Sequence, residues 1–133
     1  MRTVIAAVDD MFFASKIRGT AEQLNVDIRF VRSLESLLTA ARETSPALIV
    51  ADVQSQKIDA VALAKALKDD EELRHIPLLG FLSHVLVDLQ REAVRAGFDK
   101  VIPRSAFSRD LAAILAGDTK ILMATVAGDK KES

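Results

Sequence analysis

Five short apolar runs alternate along this chain with stretches whose apolar residues recur every third or fourth position. That alternation constrains the fold more than any single motif. The runs are Thr3 to Val8, Val26 to Val31, Ala47 to Ala51, Leu78 to Phe81 and Lys100 to Ile102, each of strand length and bounded by turn residues. Between them, Phe13, Ile17, Ala21 and Leu24 share the spacing of one helix face. So do Leu34, Leu37, Leu38 and Ala41, then Ala60, Leu63, Ala64 and Leu67, then Leu89, Ala93 and Ala96. Ser33, Asp59 and Ser108 stand where helix N-caps belong, and Gly97 where a C-cap glycine belongs. Strands that are apolar nearly throughout belong to a parallel sheet covered on both faces, and right-handed crossovers leave few ways to wind it. The expected class is α/β, a (βα)5 doubly wound parallel sheet of five strands.

A length of 133 residues predicts one domain, able to bury about two-thirds of its unfolded surface without staples. Its core is expected over residues 1–116. Residues 117–133 form a C-terminal tail, partly disordered or packed on a neighbour, whose "KILMATVA" has the composition of an edge strand. The absence of Cys removes disulfides, iron–sulfur clusters and thiol nucleophiles, and two His residues are too few for a His-rich metal site. A net charge of −1, spread without blocks, gives no footprint for direct nucleic-acid binding. The N-terminal "MRTVIAAVDD" is too short and too soon acidic for a signal peptide, and no run approaches the ~20 apolar residues that span a bilayer. The expected location is cytoplasmic.

In an open parallel sheet, ligands bind outside the carboxyl ends of the strands, at the switch in strand order. The first strand ends on Asp9 and Asp10, the third on Asp52, and the fifth runs into Arg104. Read singly, Asp10 is a helix cap, Asp9 a solvated side chain and Asp52 the end of a strand. Read together, they converge on one site. At about 4 Å and an effective dielectric near 20, each carboxylate pair repels by roughly 4 kcal/mol, so a proton or a cation must relieve it. A hard divalent ion with oxygen ligands, Mg2+, suits such a set.

The order and spacing of four stretches resemble a response-regulator receiver domain of two-component signalling. "VIAAVDD" is similar to that family's first strand with its acidic pair. "SPALIVADVQSQKIDA" resembles the segment that carries the phosphoacceptor Asp, "HIPLLGF" the fourth strand, and "AGFDKVIPRSAF" the approach to the Lys-Pro-Phe end of strand five. The resemblance implies a flavodoxin-like receiver fold with Asp52 as phosphoacceptor and a metal site of Asp9, Asp10, Asp52 and the backbone carbonyl of Gln54. It also implies Mg2+ as cofactor. Asp52 would take a phosphoryl group from a phosphohistidine donor or a small acyl phosphate, with Mg2+ neutralising the oxygens during in-line transfer.

Against the same family the chain departs at four positions. Leu82 stands where the family has a Thr or Ser, and a leucine cannot donate a hydrogen bond to a phosphoryl oxygen, a contact of ~1.5 to 3 kcal/mol. Ser83 would supply the hydroxyl only if a bulge re-aimed it; the simpler role is a helix N-cap or loop residue. Arg104 stands for the Lys and keeps the charge on a planar fork, suited to a two-pronged pair with Asp52 at rest. Val101 replaces the switching aromatic, and Ser105 replaces the Pro after the Lys, removing the basis for a cis bond there. His84, at the mouth of the site, is a further candidate phosphate or partner contact.

Two functions follow. One is a receiver that accepts a phosphoryl group on Asp52 and relays it, through a conformational change, to a partner. The other is a phosphorylation-independent pseudo-receiver that acts as a protein-binding module, favoured by Leu82, Val101 and Ser105. An enzyme on the same architecture ranks below both: there is no D-x-D at a strand end, and Asp9 and Asp10 would repel a flavin phosphate. The implied partners are a sensor histidine kinase or phosphotransfer protein and a downstream protein on the face of helix four, strand five and helix five. No direct nucleic-acid or membrane contact is expected, and a homodimer is open. The tail is too short for a DNA-binding output domain, so the expectation is a stand-alone subunit or an excised fragment.

Overall fold

The computed structural model describes residues 2–83 and 86–117; His84 and the tail beyond Gly117 lie outside the described residues. The elements are β1 (Thr3–Ala7), α1 (Met11–Gln23), β2 (Asp27–Phe30), α2 (Leu34–Thr44), β3 (Leu48–Asp52), α3 (Ala60–Lys68), β4 (Leu78–Leu82), α4 (Val87–Ala96), β5 (Lys100–Pro103), α5 (Arg104–Arg109) and α6 (Leu111–Ala116). The five strands make one parallel sheet in the order β2-β1-β3-β4-β5. The expected doubly wound class is the observed one. The chain reverses its direction of travel between β1 and β3, which puts the switch point there.

The apolar runs are continuous because both sheet faces are buried. Along β1 and β3 the side chains alternate: Ile5, Ala7, Ile49 and Ala51 pack with α2, α3 and α4, while Val4, Ala6, Leu48 and Val50 pack with α1, α5 and α6. Asp52 ends β3 in the alternation of Leu48 and Val50, and pairs in register with Phe81 of β4. Gly80, the residue before Phe81 in β4, pairs in register with Ala51. A Cβ built there would stand 2.7 Å from Val53 Cγ2 and 2.9 Å from the Phe98 ring. Gly80→Ala is therefore expected to destabilise the fold by about 1–3 kcal/mol through overpacking, read as a lowered urea midpoint.

Capping follows the sequence signals at three of four positions. Ser33 and Ser36 form a reciprocal capping box, Asp59 accepts from Ala62 N at 3.1 Å, and Gly97 closes α4 at φ +136°. Ser108 is not an N-cap. The last helical segment begins earlier, at Arg104, directly after Pro103 with φ −61° and ψ 147°, and Ser108 lies inside α5, where its hydroxyl accepts from Lys16 Nζ. The expected fifth helix is thus two six-residue helices that meet at Asp110. Among the described residues no helix is long and apolar enough to cross a membrane.

Candidate functional site

Asp9, Asp10, Asp52 and Arg104 meet at the carboxyl edge of the sheet, beside the β1/β3 switch point. β1 delivers the two acidic residues, and Asp10 is held by its own helix: its Oδ1 accepts from Phe13 N at 3.0 Å as the N-cap of α1. β3 delivers Asp52, only 7% exposed. The turn that follows fixes one oxygen of Asp52, since Gln54 N donates to Oδ1 at 2.9 Å. The other oxygen faces Arg104.

Arg104 does not pair two-pronged with Asp52. Its Nη2 stands 3.4 Å from Asp52 Oδ2 and its Nη1 3.7 Å from Asp10 Oδ2, so the fork spans two carboxylates with one nitrogen each. The cause is the platform beneath it. The guanidinium carbon lies 5.4 Å from the Phe13 ring centre and 5.5 Å from that of Phe81, and rings from two elements hold its plane between the acids. The contact to Asp52 is a long hydrogen bond, and the one to Asp10 is an ion pair beyond hydrogen-bond reach.

Burial pushes the Asp52 carboxyl above the ordinary carboxylate value. The Gln54 amide and Arg104 pull it back, and the neighbouring charges of Asp9 and Asp10 push it up again. Three carboxylates against one guanidinium leave the site short of positive charge.

Asp9 is half-buried and bonded to the β3–α3 turn rather than freely solvated. Ser55 Oγ lies 2.9 Å from both its oxygens and Gln56 N donates to Oδ2 at 3.0 Å. The same hydroxyl accepts from Lys57 N and Ile58 N at 3.2 and 3.1 Å, so one serine ties Asp9 to the β3–α3 turn. Nothing in the sequence marks Ser55 beyond its position three residues past Asp52. Among the described residues no three acidic or imidazole side chains stand as a metal cluster. All-oxygen donors with excess negative charge nonetheless have the chemistry of a hard divalent ion. Since a cation drawing on Asp9 competes with the clasp for its oxygens, Ser55→Ala is expected to tighten Mg2+ binding several-fold, measured by calorimetry. Weakened binding would mean that Ser55 presents Asp9 rather than withholding it.

The remaining candidates separate. Gln54 uses its side chain as well as its backbone, accepting from Ser83 N at 2.8 Å through Oε1 and so joining the turns after β3 and β4. Ser83 follows β4 as a loop residue and is not an N-cap: α4 starts after Leu86 with no side-chain cap, and Leu86 N donates to the Ser83 carbonyl at 3.2 Å. Among the described residues the Ser83 hydroxyl has no bond to Asp52. Leu82 is 2% exposed and belongs to the cluster under α3 and α4. Val101 is buried in that cluster too, and its carbonyl accepts from Gln90 Nε2 at 2.9 Å, pinning α4 to β5. The described residues contain no cis peptide, the Arg104–Ser105 bond included.

No protein-family model matches the sequence. The polar-differentiation response regulator DivK of Brucella ovis is 31% identical over 96 residues, 72% of this chain and 77% of that protein. Among solved structures, a response regulator from Hahella chejuensis has a TM-score of 0.77 at 18% identity, covering 87% of this chain and 93% of its own. The receiver domain of a sensor histidine kinase from Pseudomonas aeruginosa PAO1, with a magnesium ion coordinated in its active-site cleft, has a TM-score of 0.71 at 13% identity, covering 87% and 98%. The solved structures establish a shared fold, and the sequence match to DivK, joined to the acidic ends of β1 and β3, establishes descent: the chain belongs to the response-regulator family and is a receiver domain of two-component signalling.

Proposed function

We propose that Asp52 accepts a phosphoryl group and that the change this makes at the sheet edge is read by a partner on α4, β5 and α5. The observation that carries this reading is the state of Asp52. It is a buried strand-end carboxylate with one oxygen fixed by the Gln54 amide and the other left facing a cation. That second oxygen, Oδ2, is the nucleophile. It attacks the phosphorus of a phosphohistidine on a sensor kinase or phosphotransfer protein; the P–N bond breaks, and the imidazole keeps the electron pair and takes up a proton from water. Arg104, already beside Oδ2, neutralises the incoming oxygens. Asp9, Asp10, Asp52 and the Gln54 carbonyl are the residues that would hold Mg2+, which supplies charge neutralisation of the phosphoryl oxygens. Residues 1–116 form the signalling unit in this reading, and the cytoplasm is its place.

Leu82 favours a second reading. Its buried side chain offers no hydroxyl to draw the β4–α4 turn toward a phosphoryl group, as a protein-binding module without phosphorylation would not need to. A two-dimensional amide NMR titration, first with Mg2+ and then with Mg2+ plus beryllofluoride as a phosphoaspartate mimic, separates the two. Shifts at Asp10, Asp52, Gln54 and Arg104 that extend through Gln90 into α4 are expected. Shifts confined to the acidic site would sink the relay, and no response to either addition would leave the pseudo-receiver.

A further inference from the structure

A cleft of about 320 Å3 opens beside Asp9, on the α1 and β2 side of the acidic site, and its charge is opposite to that site's. Arg18 comes from α1, Arg32 from the turn after β2 and Lys57 from the β3–α3 turn. Several cations elsewhere pair with carboxylates: Arg29 with Asp27, Arg42 with Asp70, Lys68 with Asp99, Arg109 with Asp110. These three have no acidic partner among the described residues. Asp9 is the one carboxylate in the lining, and it is already satisfied by Ser55 and Gln56. The chain as a whole carries a net charge of −1, so this positive cleft is not a by-product of a basic protein. Like charges brought together by the fold from three elements repel one another unless an anion joins them, and a concave wall concentrates their field.

The chemistry of the lining narrows the anion. The Arg18 guanidinium carbon lies over the Phe30 ring, 4.9 Å from its centre, a cation–π contact that anchors one side of the guanidinium. A guanidinium backed by a ring on one side leaves its other side for a second planar group, as bases stack on arginine planes. Arg32 and Lys57 then offer a fork and a point charge to phosphate oxygens, and Val8, Val31 and Met11 supply apolar wall for a sugar. The volume lies at the low end for small-molecule sites. We infer that this cleft binds a mononucleotide, its base on Arg18 and its phosphates on Arg32 and Lys57. The inference does not rest on phosphorylation of Asp52.

Calorimetric titration of the 133-residue chain with ADP, in chelator so that no divalent ion loads the acidic site, tests it, with inorganic pyrophosphate as the probe lacking a ring. Saturable ADP binding that weakens with salt is expected. Arg18→Ala should weaken ADP at least tenfold and pyrophosphate distinctly less, since it removes the stacking plane as well as one of three charges, and the double variant Arg32→Glu, Lys57→Glu should lose both. All three side chains are exposed, so the variants should keep the far-UV circular dichroism of the parent. Asp52→Asn should bind ADP as the parent does, which keeps this outcome separate from that of the phosphoacceptor. Absence of saturable ADP binding, an unaltered affinity in the double variant, or pyrophosphate binding as tightly as ADP would each overturn the assignment.

Discussion

Asp52→Asn is expected to abolish phosphoryl incorporation and, at neutral pH, to raise the stability of the fold. The first effect follows from chemistry: an amide has no anionic oxygen to attack phosphorus, and in this reading no other side chain at the edge is both buried and free to do so. The second follows from burial. Asp52 has its carboxyl pushed above the ordinary value of 3.8, chiefly by desolvation, so the native state binds its proton more tightly than the unfolded chain does. Between the ordinary and the raised value the native state carries more protons, and stability falls as pH rises through that window. The contribution is whole below the ordinary value and gone above the raised one, so at pH 7 the ionised Asp52 weighs fully against folding. Asparagine keeps the shape and removes the charge. The variant should melt higher than the parent at pH 7, with the difference shrinking as the solution is acidified below the window. Labelled phosphodonor and thermal melts at two pH values read both effects. Undiminished labelling would place the acceptor elsewhere, and a variant less stable at pH 7 would mean that Arg104 over-compensates the burial.

Phe81→Ala is expected to cost about 3–5 kcal/mol, the range for removing a buried ring, from a total that for domains of this kind lies at about 5–15 kcal/mol. Phe81 is fully buried. It stacks on Phe107 with ring centres 4.7 Å apart, meets Phe13 edge-on at 5.0 Å and lies beneath Arg104. Its loss therefore leaves a cavity under three partners drawn from α1, α5 and the site itself. The neighbours cannot close over it without moving Arg104 from between Asp10 and Asp52. Urea unfolding followed by far-UV circular dichroism should show a lower midpoint at an unchanged slope, and the Arg104 side-chain resonances should shift in the same variant. A cost below about 1 kcal/mol would mean that the aromatic layer collapses freely and that the rings do not set the position of the guanidinium.

The strands, three of the four proposed caps and the acidic strand ends were legible in the sequence, because each is fixed by rules that act within a few residues. Period-two and period-3.6 patterns place apolar faces, and a serine or aspartate three residues before a free amide caps a helix. Ser108 shows where such a rule stops. Its type is right for a cap, yet Pro103 already begins the helix, and the residue is spent instead on Lys16. The bonds that decide how the site works span far more chain. Ser55 reaches Asp9 across 46 residues, and Arg104 reaches Asp52 across 52. No local spacing encodes whether a guanidinium forks onto one acid or divides between two. That outcome was settled by Phe13 and Phe81, brought beneath Arg104 by α1 and β4. Likewise Arg18, Arg32 and Lys57 are unremarkable surface charges until the winding of β2, β1 and β3 sets them around one cleft. The sequence by itself determined which elements form and that carboxylates end two strands at the switch point. Only the tertiary structure decided which of those carboxylates is clasped, which is bridged and which is left facing a cation, because side-chain pairing across the sheet edge depends on packing among elements that local rules do not connect.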